Sequence, residues 1–264
     1  MFFLGIDLAW STKNGTGLVL LEGDKKQAKL VKHALAYSDK EIMDFVKENI
    51  GEKKALIAID APLTVPNETG RRLAEEEVGK LFRKYNAGAH PANRTRLSSW
   101  TGSIRGEDIT NLLTKEGFKH DPNLKQFEET RKTFEVYPHP SIVVLFNLPK
   151  ILQYKNKPHR DYEFRWNEFR KYQEHLKELE KAKPSLKLPP EITSRSLKGL
   201  KGNALKDYED TLDGVLCAYI AYYYWANPSK CAILGSVEKG YILTPVFDGM
   251  LEQLKQDSLQ TRLI

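Results

Sequence analysis

One stretch near the start of the chain reads FFLGIDLAW (residues 2–10), and Asp7 is its single charged residue. A run this apolar is typical of a β-strand that is covered on both faces at the centre of a sheet. An ionised carboxylate in such a setting costs several kcal/mol unless a cation or hydrogen-bond donors compensate it. We therefore expect the rest of the chain to supply partners for Asp7.

The residues after this stretch predict an antiparallel meander followed by a helix. The dipeptide Asn14-Gly15 is a strong hairpin signal, and apolar residues at 17–21 and 28–37 indicate the second and third strands. A helix is expected to begin near Ser38 and to end at Gly51, because its apolar residues share one face.

A second strand of the buried type, ALIAIDAP at residues 55–62, also ends in a carboxylate. Since a helix leads to it from the meander, we expect a crossover that lays it parallel to the first strand. The carboxyl ends of parallel strands line the functional crevice of an open α/β sheet, which would put Asp60 close to Asp7. The alternative is that Asp60 only begins the turn at Pro62.

The middle of the chain supplies another acidic strand and a long polar segment. A helix is predicted over residues 68–85, followed by an irregular stretch at 86–106. Residues 132–137 are predicted to form a short strand, in which Glu135 could face either the interior or solvent. A helical insertion is expected at about 141–190, with its charges solvated.

A long helix is predicted at about 204–225, and its packing face carries two carboxylates. Asp210 and Asp213 share that face with small apolar residues at helical spacing. The helix dipole favours acids only in the first turn, so it accounts poorly for Asp213. Two acids on a face that packs against the sheet indicate a functional site. A strand at 240–245 and a terminal helix are expected to close the chain.

Four aspartates from three distant segments would repel one another if they clustered: Asp7, Asp60, Asp210 and Asp213. A divalent cation is the natural compensation, and hard oxygen ligands select Mg²⁺ or Mn²⁺. Two such ions about 4 Å apart can activate a water and stabilise the leaving oxygen in phosphodiester hydrolysis. In that arrangement Asp7 would bridge both ions, and Asp60 and Asp210 would hold one each. Asp213 would complete a ligand position or lie just behind the ions.

Basic residues point to a polyanionic partner. The net charge is +6 and the pI is near 9.0. Arg94 and Arg96 lie in the irregular stretch, while Lys198 and Lys201 lie in a glycine-containing loop before the long helix. Such residues suit contacts with a nucleic-acid backbone, although a surface loop of mixed polarity or a Lys-rich solvated surface has the same composition.

Five segments together resemble a family of unknown function that is regarded as predicted ribonuclease-H-like nucleases. They are GIDLAWS (5–11), IAIDAPL (57–63), FEVYPHPS (134–141), GLKGNALKDYEDTLDGVLCAY (199–219) and GYILTP (240–245). The resemblance implies an α/β fold, with a ribonuclease-H-like mixed sheet flanked by helices and carrying helical insertions. It also implies metal-binding roles for the four aspartates, Glu135 as a further acidic member of the site, and nuclease activity. The acidic pattern is that of Holliday-junction resolvases, except that Asp60 is shorter than the Glu of that pattern.

Two other functions remain open. An ATP-dependent phosphotransferase of the actin and sugar-kinase type also begins with a Gly-Ile-Asp strand, but it needs glycine-rich phosphate loops in both halves. Here the turn at residues 14–17 is the single candidate for such a loop. A degenerate nuclease fold that binds nucleic acid without cleaving it would show affinity that falls with salt.

The bulk properties predict a cytoplasmic protein built as one domain over residues 1–264. Cys217 and Cys231 both lie among apolar residues, which favours packed thiols in a reducing compartment. The apolar start carries Asp7 and has no basic leader, so no signal peptide is expected. No stretch reaches the roughly 20 apolar residues of a membrane helix, and the sequence does not indicate an oligomeric state.

Overall fold

The structure is a computed structural model that describes residues 1–11 and 13–254. Its strands are β1 (Phe2–Asp7), β2 (Thr16–Gly23), β3 (Gln27–Ala36), β4 (Ala55–Ile59), β5 (Lys119–His120), β6 (Arg131–Glu135), β7 (Ser185–Lys187), β8 (Cys231–Ser236) and β9 (Gly240–Pro245). Its helices are α1 (Asp39–Asn49), α2 (Leu73–Phe82), α3 (Arg94–Thr101), α4 (Arg105–Lys115), α5 (Pro138–Leu145), α6 (Tyr162–Glu178), α7 (Pro190–Thr193) and α8 (Gly202–Ala226).

Seven strands form a mixed sheet in the order β5-β6-β4-β1-β2-β3-β7, and β8 and β9 form a separate antiparallel pair. β1 pairs antiparallel with β2 and parallel with β4, as the meander and the crossover predicted. Helices cover both faces of the sheet. The α/β class, with a mixed sheet flanked by helices, is therefore confirmed.

β1 lies at the centre because alternate side chains of the strand enter two different cores. Phe3 packs with α8 on one face, while Leu4 and Ile6 pack on the other face with residues of α1 and α4. All three side chains are fully buried. Since successive side chains alternate between faces, Asp7 lies on the face covered by α8.

Two glycines let α8 approach the sheet closely. A Cβ added at Gly5 would lie 2.1 Å from the carbonyl oxygen of Gly214, and one at Gly17 would lie 2.0 Å from that of Asp210. Any larger residue in β1 or β2 at these points would therefore hold the helix away. The close contact brings the acidic turn of α8 beside the end of β1.

The expected insertion at about 141–190 is partly helical. It contains α6, whose first turn is capped by the Asp161 side chain accepting from the Phe164 amide. It also contains β7, which extends the sheet by pairing parallel with β3. The sequence analysis did not predict this strand, because three residues are too few to show an alternating pattern.

Other differences from the sequence analysis also involve short elements. The stretch predicted to be irregular contains α3, which begins after Asn93, whose side chain accepts from the Arg96 amide. The predicted strand at 240–245 is present, and its partner β8 was missed. Residues 250–254 are helical, and the rest of the predicted terminal helix lies outside the described residues. Within the described ranges, no helix has both the length and the hydropathy needed to cross a membrane.

Candidate functional site

Asp7 and Asp60 lie side by side at the carboxyl ends of two parallel strands. The register pairs Ile6 with Ile59, and the Asp60 amide donates to the Ile6 carbonyl oxygen at 2.9 Å. Neighbouring strands are about 4.8 Å apart, and paired residues of parallel strands point to the same face. Both carboxylates therefore face α8.

Asp210 enters the same site from α8. Its side chain is 1% exposed, and Oδ1 accepts a hydrogen bond from the Lys206 ammonium one turn earlier. Oδ2 is buried without a hydrogen-bond partner among the described residues. A buried carboxylate oxygen with no donor is costly, so it marks a place where a further cation or donor fits.

Asp213 lies one turn further along α8 and is held by residues of the insertion. Tyr154 donates to its Oδ1 at 2.7 Å, and the Lys155 ammonium donates to its Oδ2 at 2.5 Å. Asp213 is fully buried and does not line the cleft that contains Asp7 and Asp60. Its oxygens are thus occupied from behind the site.

A cavity of about 310 Å³ opens over these carboxylates. Its lining includes Asp7, Asp60, Asp210, Lys155 and Lys206, together with an apolar wall that contains Leu8 and Ala61. The volume is at the lower end of the range for small-molecule pockets. The cavity is therefore large enough for a small molecule or for one part of a larger ligand.

The clustered carboxylates hold their protons more tightly than ordinary aspartates. Burial, with further contributions from neighbouring carboxylates, raises the pKa of Asp7 well above its usual value. Burial likewise raises the pKa of Asp60 to about 7 and that of Asp210 to about 6, although Lys155 and Lys206 respectively oppose the shifts. Near neutral pH the ionised form of these carboxylates is therefore disfavoured, and a bound cation would stabilise it by adding positive charge.

Three polar side chains of this region were missed in the sequence analysis: Lys155, Glu209 and His139. Lys155 lies in the irregular segment between α5 and α6, where no periodicity marks it. Glu209 is 3% exposed and lies 3.7 Å from the Lys155 ammonium. The sequence did contain one indication of it: Glu209 directly precedes Asp210, and a third acid in one buried helical turn is unusual.

His139 lies in the cavity wall at the start of α5. Its Nδ1 is 2.7 Å from the Tyr137 hydroxyl, which fixes the orientation of the ring. Burial, and then the charge of Lys155, lowers the pKa of His139 to about 3. The imidazole is therefore neutral near pH 7.

Glu135 is interior, so the alternative of a solvated side chain is wrong. The register pairs it with Ile59, which directs its side chain to the face opposite Asp60. Arg72 donates to both of its oxygens, at 2.9 and 2.6 Å, and the Leu63 amide donates at 2.9 Å. Glu135 touches the edge of the cavity, but its oxygens are already engaged.

The four predicted nucleic-acid contacts are not among the residues that line the cavity: Arg94, Arg96, Lys198 and Lys201. Arg94 donates to the Val65 carbonyl oxygen and pairs with Glu107. The Lys201 ammonium lies 5.5 Å from the centre of the Tyr162 ring. The structure thus brings the carboxylates together and keeps these basic side chains outside the cleft.

The carboxylates of the cavity do not by themselves form a complete cage for a metal ion. No group of three or more His, Cys, Asp or Glu side chains converges on one ion position within residues 1–11 and 13–254. Mg²⁺, however, usually takes one or two carboxylates and completes its shell with waters and substrate phosphate. Asp7, Asp60 and the free Oδ2 of Asp210 offer oxygens of that kind.

Comparison with known proteins gives a family without an established activity. None of the curated proteins matches the chain. The sequence profile described as "Protein of unknown function (DUF429)" matches residues 5–235, which include every acidic residue of the site. The chain therefore belongs to the DUF429 family.

Proposed function

We propose that this protein is a metal-dependent nuclease with a ribonuclease-H-like fold that hydrolyses phosphodiester bonds of a nucleic acid. The observation that carries the proposal is the set of three aspartates that line one cavity, Asp7, Asp60 and Asp210, one of which has a buried oxygen without a hydrogen-bond partner among the described residues. The arrangement of β1, β2 and β3, followed by α1, the parallel β4 and the late α8, supports the ribonuclease-H-like assignment.

The proposed cofactor is Mg²⁺ or Mn²⁺, held by Asp7 and Asp60, with Asp210 near enough to contact its bound water. A divalent ion bound there would lower the pKa of a bound water and neutralise charge on the phosphate. The Lys206 ammonium holds Oδ1 of Asp210, and Oδ2 has no hydrogen-bond partner among the described residues. The apolar wall of the cavity limits bulk water and so strengthens the electrostatic contacts inside it.

The nucleic acid would reach the cavity as a single strand end or a locally opened strand, because the volume fits about one nucleotide. Arg94, Arg96, Lys198 and Lys201 lie outside the cavity, where they would contact the flanking backbone. Contacts of this kind add affinity that depends on salt but not on sequence.

The experiment that tests the proposal uses the full chain and a panel of end-labelled nucleic acids. The panel contains single-stranded DNA and RNA, the two duplexes, an RNA–DNA hybrid and a branched DNA, each with Mn²⁺ or Mg²⁺. We expect at least one substrate to be cleaved and EDTA to stop the reaction. Binding that falls with salt, without cleavage under either ion, would instead indicate a non-catalytic nucleic-acid-binding protein.

A further inference from the structure

Cations of the chain itself already surround the acidic turn of α8. Lys155, Lys206 and Arg165 lie within ion-pair distance of Glu209, at 3.7, 3.2 and 3.4 Å. Asp210 and Asp213 are each bound by one of these lysines as well. The positive charge on this side of the cavity is therefore built into the protein.

Lys155 differs from Lys206 in how firmly it is held. The Lys206 side chain is 45% exposed and reaches its partners along its own helix. Lys155 comes from a segment that two arginines anchor: Arg160 donates to the Lys155 carbonyl oxygen at 3.2 Å, and Arg165 donates to the Tyr154 carbonyl oxygen at 2.9 Å. The Lys155 ammonium is thus positioned by the backbone on both sides of the residue.

The Lys155 ammonium lies between the helix acids and the cavity. It donates to Asp213 and pairs with Glu209 behind the site, and it also lines the cavity with Asp7 and Asp60. An ammonium has three N–H donors, and only its contact with Asp213 is within hydrogen-bond distance, so donors remain for a group inside the cavity. A phosphate oxygen is a natural acceptor for it.

We propose that Lys155 takes the place of a second metal ion, so that the site binds one divalent cation, at Asp7 and Asp60 with Asp210 nearby. The inference rests on the proposed function and replaces the two ions that the sequence analysis expected. In a two-ion site, one ion stabilises the attacking oxygen and the other stabilises the leaving oxygen. Here a fixed ammonium supplies one of these two charges, and Lys155 acts as a positioning residue for the phosphate.

The cation position has a signature that is independent of Lys155. Asp210 is one of the residues that line the cavity, and its Oδ2 is buried without a hydrogen-bond partner in the described part of the chain. The lysine therefore compensates Asp213 and Glu209 and leaves the Asp210 oxygen unsatisfied. One further cation, beside Asp7, is needed to supply positive charge there, and the proposal requires no second one.

The test counts bound Mn²⁺ on the metal-stripped full chain, without nucleic acid, from the electron paramagnetic resonance signal of free Mn²⁺. We expect one ion for the parent protein and two for Lys155→Met, which keeps the side-chain length but removes the charge. Lys155→Arg keeps the charge and should bind one. Lys157→Met, at an exposed position two residues away, is the matched control and should also bind one.

The outcomes separate this inference from the proposed function. A parent that binds two ions, or none, overturns the inference even if a variant fails to fold. A Lys155→Met variant that folds and still binds one ion overturns it as well. If the parent cleaves nucleic acid but binds two ions, only the role of Lys155 is contradicted. If it binds one ion but cleaves none of the nucleic acids, only the nuclease activity is contradicted.

Discussion

Asp7→Asn should abolish divalent-ion-dependent cleavage while leaving the protein folded. The substitution removes one of the two proposed metal ligands, which follow β1 and β4 where these strands run in parallel. Charge stabilisation by a catalytic ion contributes several kcal/mol, so we expect a loss of about a thousandfold or more. The measurement is the cleavage rate of whichever labelled nucleic acid the parent cuts.

The same variant should be more stable than the parent when no divalent ion is present. Asn is nearly isosteric with Asp and removes a carboxylate from a repelling group. Because the folded protein raises the pKa of Asp7, the native state binds more protons than the unfolded chain between the ordinary Asp value of about 4 and the raised value. The stability of the parent therefore falls as the pH rises through that range, whereas the Asn side chain has no titratable group. The difference in Tm, measured in EDTA, should therefore widen from pH 5 to pH 8.

Asp44→Asn is the matched control for this prediction. Asp44 lies on α1 with its side chain 44% exposed and paired with Lys40. Its replacement should leave the cleavage rate unchanged and shift stability by less than about 0.5 kcal/mol. Parent-like cleavage by Asp7→Asn would show that this carboxylate is not part of the reacting centre.

Gly5→Ala should destabilise the protein strongly through the contact between β1 and α8. The new Cβ would lie 2.1 Å from the Gly214 carbonyl oxygen and 2.3 Å from the Ala218 amide nitrogen, and neither backbone atom can rotate away. Overpacking costs about 1–3 kcal/mol where side chains can adjust, so we expect about 3 kcal/mol or more here. For a chain of this size that corresponds to a fall in Tm of roughly 6–12 °C.

Gly79→Ala in α2 provides the comparison, because the nearest atom to its added Cβ is the flexible end of Arg83 at 3.7 Å. Alanine favours a helix interior by about 1 kcal/mol over glycine, so this variant should match or exceed the parent in Tm. Urea denaturation of both variants measures the difference. A Gly5→Ala protein as stable as the parent would mean that α8 does not press on β1 at this point.

The centre of the fold could be predicted because its signals are long and periodic. The uninterrupted apolar residues of β1 and β4, and the helix between them, were enough to predict that the two strands run parallel and that Asp60 lies beside Asp7. The spacing of Asp210 and Asp213 likewise predicted the face of α8 that packs on the sheet. These inferences depend on local geometry, which the sequence encodes directly.

The remaining features depend on tertiary contacts that leave no local pattern. β5 and β7 are two and three residues long, too short to alternate visibly. The face of Glu135 follows from its register with Ile59, which only the assembled sheet defines. Lys155 reaches Asp213 across 58 residues from a segment without regular structure. The sequence predicted that positive charge or hydrogen-bond donors would compensate the acids. It did not predict that a lysine of the chain supplies part of that charge.

The most direct test of the metal centre is an anomalous difference map from crystals of metal-stripped protein soaked in Mn²⁺. The account predicts one peak, within about 2.2 Å of carboxylate oxygens of both Asp7 and Asp60, with waters completing the shell on the side of Asp210. Crystals of Asp7→Asn should lose that peak under the same soak. Saturating Mn²⁺ that leaves the position between Asp7 and Asp60 empty would contradict the account.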